Sequence, residues 1–316
     1  MAVNLRRSLV ASAIALLPVG LIAGTVSAAN AAPAAPAAFP THFVAPYLQI
    51  ASGDAGDMAA DMKASGDKYY TLAFLTSNGG CNLQWEDGGD AVGAFKSQIS
   101  SLQAAGGDVA ISFGGADSTE LAQSCTSVSS LAAAYEKVVT TYNVFRLDFD
   151  IEGPPLDNKA SITRRDQALK QVQAWNKSVQ VDYTLPVDPT GLESDATSLL
   201  KDAKTQGVTV SIVNIMTMDF GDGENALNDA ESGAKATHTQ LESVFGSSSA
   251  AAWAQLGLTP IAGKNDDNEN FTQSNAKTLE SFAASNGVRE LSFWEVDEYD
   301  KKVGYAYSKI FNAITG

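Results

Sequence analysis

Cysteine and histidine are scarce, with two of each in 316 residues. Cys81 and Cys125 form no C-x-x-C pair, which, with only two histidines, argues against a structural zinc site. His42 and His238 have no serine or cysteine nucleophile signature beside them, so a hydrolytic triad is not supported. Basic residues are also few: 21 Lys and Arg face 36 Asp and Glu, a net charge of −15. Nucleic acid and anionic membranes are poor partners for such a chain. An acidic surface suits a soluble protein acting on a neutral substrate, although acidity that only aids solubility would look the same. Gly221-Asp222-Gly223 lies among acids, which argues against a phosphate loop. Asp266, Asp267 and Glu269 follow no calcium-loop pattern. Metal ligands are therefore not expected. Beyond the first thirty residues no apolar run is long enough to span a membrane. No domain linker follows residue 40.

The N-terminus does carry a pattern. Arg6-Arg7 precede an apolar run from Leu9 to Ala23, and small residues follow in Val26-Ser27-Ala28 and Ala29-Asn30-Ala31. Basic, apolar and then Ala-x-Ala-like residues mark a secretory signal peptide over residues 1–31. A membrane anchor is the alternative, but Pro18 and Gly20 interrupt the run. The twin arginines point toward the Tat route. Residues 32–42 read as a flexible Pro/Ala-rich leader. The mature chain is expected outside the cell, with no membrane contact after cleavage, as a monomer. An oxidising compartment permits a Cys81–Cys125 disulfide; two buried thiols are the alternative.

With 45% hydrophobic and 18% charged residues, the chain can build one large domain or two small ones. Eight apolar, β-rich runs stand out: Phe43–Ile50, Tyr69–Leu75, Val109–Phe113, Val144–Ile151, Val179–Leu185, Val208–Met216, Leu258–Ile261 and Arg289–Trp294. Most are separated by helical patterns, clearest at Asp90–Ala104, Leu131–Thr140, Thr163–Ser178, Ser194–Thr205, Asn275–Ser285 and Val303–Ile314. Thr163 fits the N-cap of the third. Gly106-Gly107, Gly207 and Gly287 fit helix C-terminal caps. Eight repeats of strand and helix predict a TIM (β/α)8 barrel over residues 43–316, with a doubly wound open sheet as the alternative. Cys81 and Cys125 follow the second and third runs, so a barrel puts both on one face. A bond there would close a loop of about 44 residues and stabilise by about 4 kcal/mol on the chain-entropy model.

The fourth run carries the chemistry. In Phe145-Arg146-Leu147-Asp148-Phe149-Asp150-Ile151-Glu152, the apolar and charged residues alternate. Strands in a parallel sheet are covered on both faces, so the charged face points inward. Alternate α-carbons on a strand are roughly 6.6 Å apart, close enough for carboxylates to converge. Such a cluster costs several kcal/mol unless protons are shared and charges paired. A chain rarely keeps it unused. Neighbouring negative charge raises a carboxyl pKa, as a general acid at neutral pH requires.

The third run ends Ile111-Ser112-Phe113-Gly114-Gly115, the sixth Asn214-Ile215-Met216-Thr217-Met218-Asp219 and the eighth Ser292-Phe293-Trp294. With Asp148-x-Asp150-x-Glu152 between them, the chain resembles glycoside hydrolase family 18, the chitinases, from residue 43 to 316. Leu258-Thr259-Pro260-Ile261-Ala262-Gly263 is similar to a bacterial and archaeal single-domain subgroup. The resemblance implies a chitinase acting on β-1,4-linked N-acetylglucosamine, by attack of the substrate's own acetamide oxygen, with retention and without cofactor. An endo-β-N-acetylglucosaminidase or a non-catalytic chitin-binding barrel are the alternatives. By position, the resemblance makes Glu152 the proton donor, Asp150 the holder of the acetamide and Asp148 its proton-sharing partner. Asp219 helps position the acetamide, Met216 lines its pocket, Trp294 floors the sugar and Ser112 supports the carboxylates. Tyr47 is a candidate for the same inner shell, and Trp85 for an outer sugar subsite or a rim position. Two departures stand out. Phe145 replaces a frequent Asp, and Met218 replaces a tyrosine whose hydroxyl would bond the acetamide oxygen. Tyr183 is one candidate substitute for that hydroxyl, with plain packing the alternative. Arg146 is expected as a counter-charge to Asp148.

Overall fold

The computed structural model describes residues 38–51, 58–221, 223 and 226–315. The expected signal peptide, and the leader up to residue 37, lie outside the described residues. The strands are β1 (Phe43–Val44), β2 (Tyr47–Gln49), β3 (Tyr69–Ser77), β4 (Leu83–Trp85), β5 (Asp108–Gly114), β6 (Arg146–Asp150), β7 (Gln180–Pro186), β8 (Val210–Met216), β9 (Leu256–Thr259) and β10 (Glu290–Leu291). Apart from β4, which folds back antiparallel on β3, they run parallel in the order β1-β10-β9-β8-β7-β6-β5-β3-β2.

The two ends of that order are halves of one strand, parted at Ala45-Pro46. Pro46 has no N–H to give, yet the ladder continues on both sides of it. Ala45 N–H donates to Leu291 O at 3.1 Å, Tyr47 N–H to Phe293 O at 3.0 Å, and Pro46 O accepts from Thr71 N–H at 3.0 Å. The sheet therefore closes on itself as the expected barrel, which rules out the open doubly wound alternative.

The surrounding helices are α1 (Met58–Ser65), α2 (Lys96–Ala104), α3 (Leu121–Ser124), α4 (Val128–Tyr142), α5 (Pro154–Asp157), α6 (Lys159–Trp175), α7 (Ser194–Gln206), α8 (Ala226–Phe245), α9 (Ser249–Trp253), α10 (Gln273–Asn286) and α11 (Ala306–Phe311). Gly207 and Gly287 cap α7 and α10 in the left-handed region, as expected. The Thr163 cap is corrected. α6 begins four residues earlier, where Asn158 accepts from Ser161 N–H, and Thr163 bonds Asp202 from inside the helix. The 20-residue α8 escapes the apolar pattern because much of its buried face is small or polar: Ala226, Asp229, Ala230, Gly233, Ala234, Thr237 and His238 precede Leu241 and Val244. No helix of the described residues is long and apolar enough to cross a membrane.

The alternation in β6 sorts as its chemistry requires. Leu147 and Phe149 join the apolar layer between barrel and helices, where Phe149 stacks on Phe113 with ring centres 5.1 Å apart. Arg146, Asp148 and Asp150 are buried in the barrel interior. At its base the Arg146 guanidinium pairs with Asp182 at 2.5 Å and also bonds Gln180. It therefore serves Asp182 rather than Asp148, a correction with a simple cause: Asp182 lies two residues beyond Gln180, the direct strand partner of Arg146, on the same face of the neighbouring strand. Phe39 and Phe43 cover the guanidinium at 4.7 and 5.0 Å. Phe39 also packs on Tyr69, whose hydroxyl bonds Ala38 O. Ala38 and Phe39, expected in the leader, thus pack against the barrel, and the Phe39 ring covers its charged base.

Candidate active site

The C-terminal ends of the strands surround a cleft of about 280 Å³. Asp150 and Glu152 line one wall, Trp294 and Phe74 another. Met216, Met218 and Asp219 come from the end of β8 and the loop after it, and Tyr47 and Gln49 from β2. Of the residues proposed from sequence, Asp150, Glu152, Asp219, Trp294, Met216 and Tyr47 reach this one space.

Asp148 lies one layer below and accepts three hydroxyl donors. Ser112 reaches Oδ2 at 2.6 Å and Tyr47 reaches the same oxygen at 3.1 Å, while Thr184 reaches Oδ1 at 2.8 Å. Ser112 is buried on β5 and is absent from the cleft lining itself. Burial pushes the Asp148 carboxyl up to about 6, against the pull of these donors. Thr184 in turn accepts from the Asn214 amide at 3.1 Å, and Asn214 Oδ1 accepts from Thr259 at 2.8 Å. A polar chain therefore runs through β9, β8, β7 and β6. Thr184 and Asn214 were missed as site residues because threonine and asparagine in strands carry no signal of their own; inward parity beside the acidic strand could have flagged them.

Asp150 and Glu152 hydrogen-bond to each other. Burial, then the charges of Glu152 and Asp148, holds the Asp150 carboxyl well above the ordinary range. Burial also raises Glu152; the bond from Asp150 opposes the rise, and Asp117 and Glu86 add to it. Asp150 Oδ1 is buried without a partner among the described residues. Two glycines bring the neighbouring strand this close. A Cβ at Gly114 would lie 2.0 Å from the Asp150 carbonyl oxygen, and one at Gly115 would strike the Phe74 ring at 2.8 Å. Their φ angles of 110° and 89° also suit only glycine.

Trp294 is stacked on Phe74 with centres 5.7 Å apart, and its indole borders the cleft. Asp219, at φ 50°, accepts from the backbone N–H of Asp266 at 2.8 Å, tying the loop after β8 to the loop after β9. The Ala73–Phe74 and Trp294–Glu295 peptides are cis, for which the sequence carries no signal.

Two expectations are corrected. Trp85 is fully buried and does not line the cleft. The β4 hairpin turns it outward, against Phe95 and Tyr142, and its indole N–H donates to Tyr142 Oη at 2.9 Å. Tyr183 has the parity of the apolar face, and its hydroxyl donates to Asp166 on α6, so it cannot replace the hydroxyl absent at Met218. Cys81 and Cys125 are bonded, joining the turn between β3 and β4 to the end of α3.

The family model described as Glycosyl hydrolases family 18 matches residues 26–260. The chain belongs to glycosyl hydrolase family 18. Its similarity to individual family members extends further. The "Probable bifunctional chitinase/lysozyme" of Escherichia coli (strain K12) is 36% identical over 300 residues, covering 88% of this chain and 33% of that protein. Endochitinase 11 of Metarhizium anisopliae is 36% identical over 278 residues, covering 82% of this chain and 53% of that protein. The chain thus spans between a third and about half of the length of these curated relatives. The catalytic domain of the hyperthermophilic chitinase from Pyrococcus furiosus superposes with a TM-score of 0.81 at 30% identity, covering 89% of this chain and 97% of that one. In this family-18 barrel, the acidic strand and the aromatic floor meet at one mouth.

Proposed function

We propose that the protein is a secreted chitinase that hydrolyses β-1,4 bonds between N-acetylglucosamine units with retention of configuration. The observation that carries this reading is the Asp150–Glu152 pair, a buried and a half-buried carboxyl in hydrogen-bond contact, facing a cleft bordered by Trp294. The named activities of the relatives support the same substrate class, and the basic–apolar–small pattern of residues 1–31 supports export.

In this reading a sugar ring lies on Trp294 with its acetamide against Asp150. The acetamide oxygen attacks the anomeric carbon as the glycosidic bond breaks, and Glu152 delivers its proton to the leaving oxygen. The buried, unpartnered Asp150 Oδ1 accepts the acetamide N–H as positive charge grows on the resulting oxazolinium ring. Water then attacks the same carbon, Glu152 takes back a proton and the acetamide is restored. Two inversions leave the configuration unchanged. Asp148, fixed by three hydroxyls, keeps Asp150 in place. The scheme calls on no metal or organic cofactor.

The test is incubation with chitin oligosaccharides and, separately, with a glycoprotein, reading products and their first-formed anomer by NMR. Short fragments released as the β-anomer support the proposal. Deglycosylation alone would make it an endo-β-N-acetylglucosaminidase, and binding without cleavage would make it a non-catalytic barrel.

A further inference from the structure

The cleft is rich in acceptors and poor in donors. Among the described residues, four more carboxyl residues line it besides Asp150 and Glu152, namely Glu86, Asp117, Asp219 and Asp266, and no lysine or arginine does. A sugar is studded with acceptor oxygens and needs N–H or O–H groups around it. Most hydroxyls at the cleft are already committed. Tyr47 and Thr184 donate to Asp148, and Thr259 donates to Asn214. Met216 and Met218 have none to offer. Two side-chain donors that border the cleft make no hydrogen bond to another described residue: the Trp294 indole N–H and the Gln49 amide.

The register fixes where Gln49 stands. It lies two residues beyond Tyr47 on the same face of β2, one layer nearer the mouth. The Tyr47 hydroxyl reaches Asp148. Asp150 likewise lies two residues beyond Asp148 and lines the same cleft as Gln49. Its strand neighbours carry Phe74 on one side and Trp294 on the other. The Gln49 amide therefore stands beside the aromatic floor, facing the carboxyl pair.

We infer that Gln49 is a substrate-binding residue, whose side-chain amide donates a hydrogen bond to an oxygen of the sugar seated on Trp294. The inference rests on the chitinase reading and adds a specificity determinant to it: an amide donor, besides the Trp294 indole, in a cleft rich in acceptors. It also answers the loss of a hydroxyl at Met218, since the donor is supplied from β2 rather than from β8.

The test uses the full chain with Gln49→Met, which keeps volume but removes both polar groups, and Gln49→Glu, which only accepts when ionised. Melting temperatures confirm that each variant folds. In the inactive Glu152→Gln background, calorimetric affinity for the N-acetylglucosamine tetrasaccharide should fall roughly 3- to 10-fold with Gln49→Met, the worth of one hydrogen bond, and at least as far with Gln49→Glu. In the active enzyme the loss should appear mainly in KM, because the contact is made before the transition state as well as in it. Affinity and KM both within about twofold of the parent for Gln49→Met would overturn the inference. If the parent binds the tetrasaccharide without cleaving it, the chitinase reading fails while the Gln49 contact is still decided by affinity. If the parent binds no such sugar, both fall.

Discussion

Asp150 and Glu152 are hydrogen-bonded to one another while Asp148, directly below, is held by Ser112, Tyr47 and Thr184. A contact between two carboxyls requires a proton between them. Three hydroxyl donors favour the ionised form of Asp148. The strand thus sorts its carboxyls by depth: one held by hydroxyls beneath, and a shared proton at the mouth where a leaving oxygen would need it.

Glu152→Gln removes that proton and little volume. Turnover of chitin oligosaccharides should drop by about 10²- to 10⁴-fold or more, while their binding, measured by calorimetry, stays near that of the parent. Undiminished turnover would remove Glu152 from the role of acid.

A fully deacetylated oligosaccharide has no acetamide oxygen to attack the anomeric carbon. It should not be cleaved under conditions where the acetylated form is consumed. Efficient cleavage would require a protein nucleophile, and the internal mechanism would be abandoned.

Stability should fall as pH rises above the ordinary carboxyl range. Burial is the leading cause that raises Asp148 and Asp108 to about 6, Asp67 to about 7 and Asp166 to about 8, from an ordinary 3.8. Between those limits the folded chain keeps protons that the unfolded chain has released, so each group favours folding at low pH and loses that contribution as pH passes its folded value. The melting temperature should therefore decline between about pH 5 and 8, and Asp166→Asn should flatten the upper part of the slope. A melting temperature that climbs over this interval would contradict the assignment.

The Cys81–Cys125 bond spans 44 residues. Replacing both cysteines by serine should cost about 4 kcal/mol on the chain-entropy model, read by chemical denaturation. No measurable change would mean that the unfolded chain is not restrained by this link.

The barrel was legible because its strands alternate with helices, and the acidic strand because its two faces differ so sharply. Other features obeyed forces that leave no local pattern. α8 hides its buried stripe in alanine, glycine and threonine, which fit where helices pack closely but do not look apolar. Trp85 sits in a stretch that reads as a surface loop, yet a short antiparallel return and the Tyr142 hydroxyl take it inside. Arg146 is close in sequence to the acids of its own strand, but its partner Asp182 comes from the next strand, a pairing that only register reveals. The same holds for Thr184 and Asn214, ordinary residues until the barrel sets them beside Asp148.

Asp219 spends one carboxylate oxygen on the backbone of Asp266 while also bordering the cleft. It is a hinge pin as well as a prospective ligand. A replacement that removes the acceptor oxygen slackens two loops at once and, on the chitinase reading, withdraws a contact from the sugar. Kinetic damage in such a variant is then a sum of two injuries, and the share due to slack is what Asp219→Asn, which keeps the acceptor oxygen, would spare.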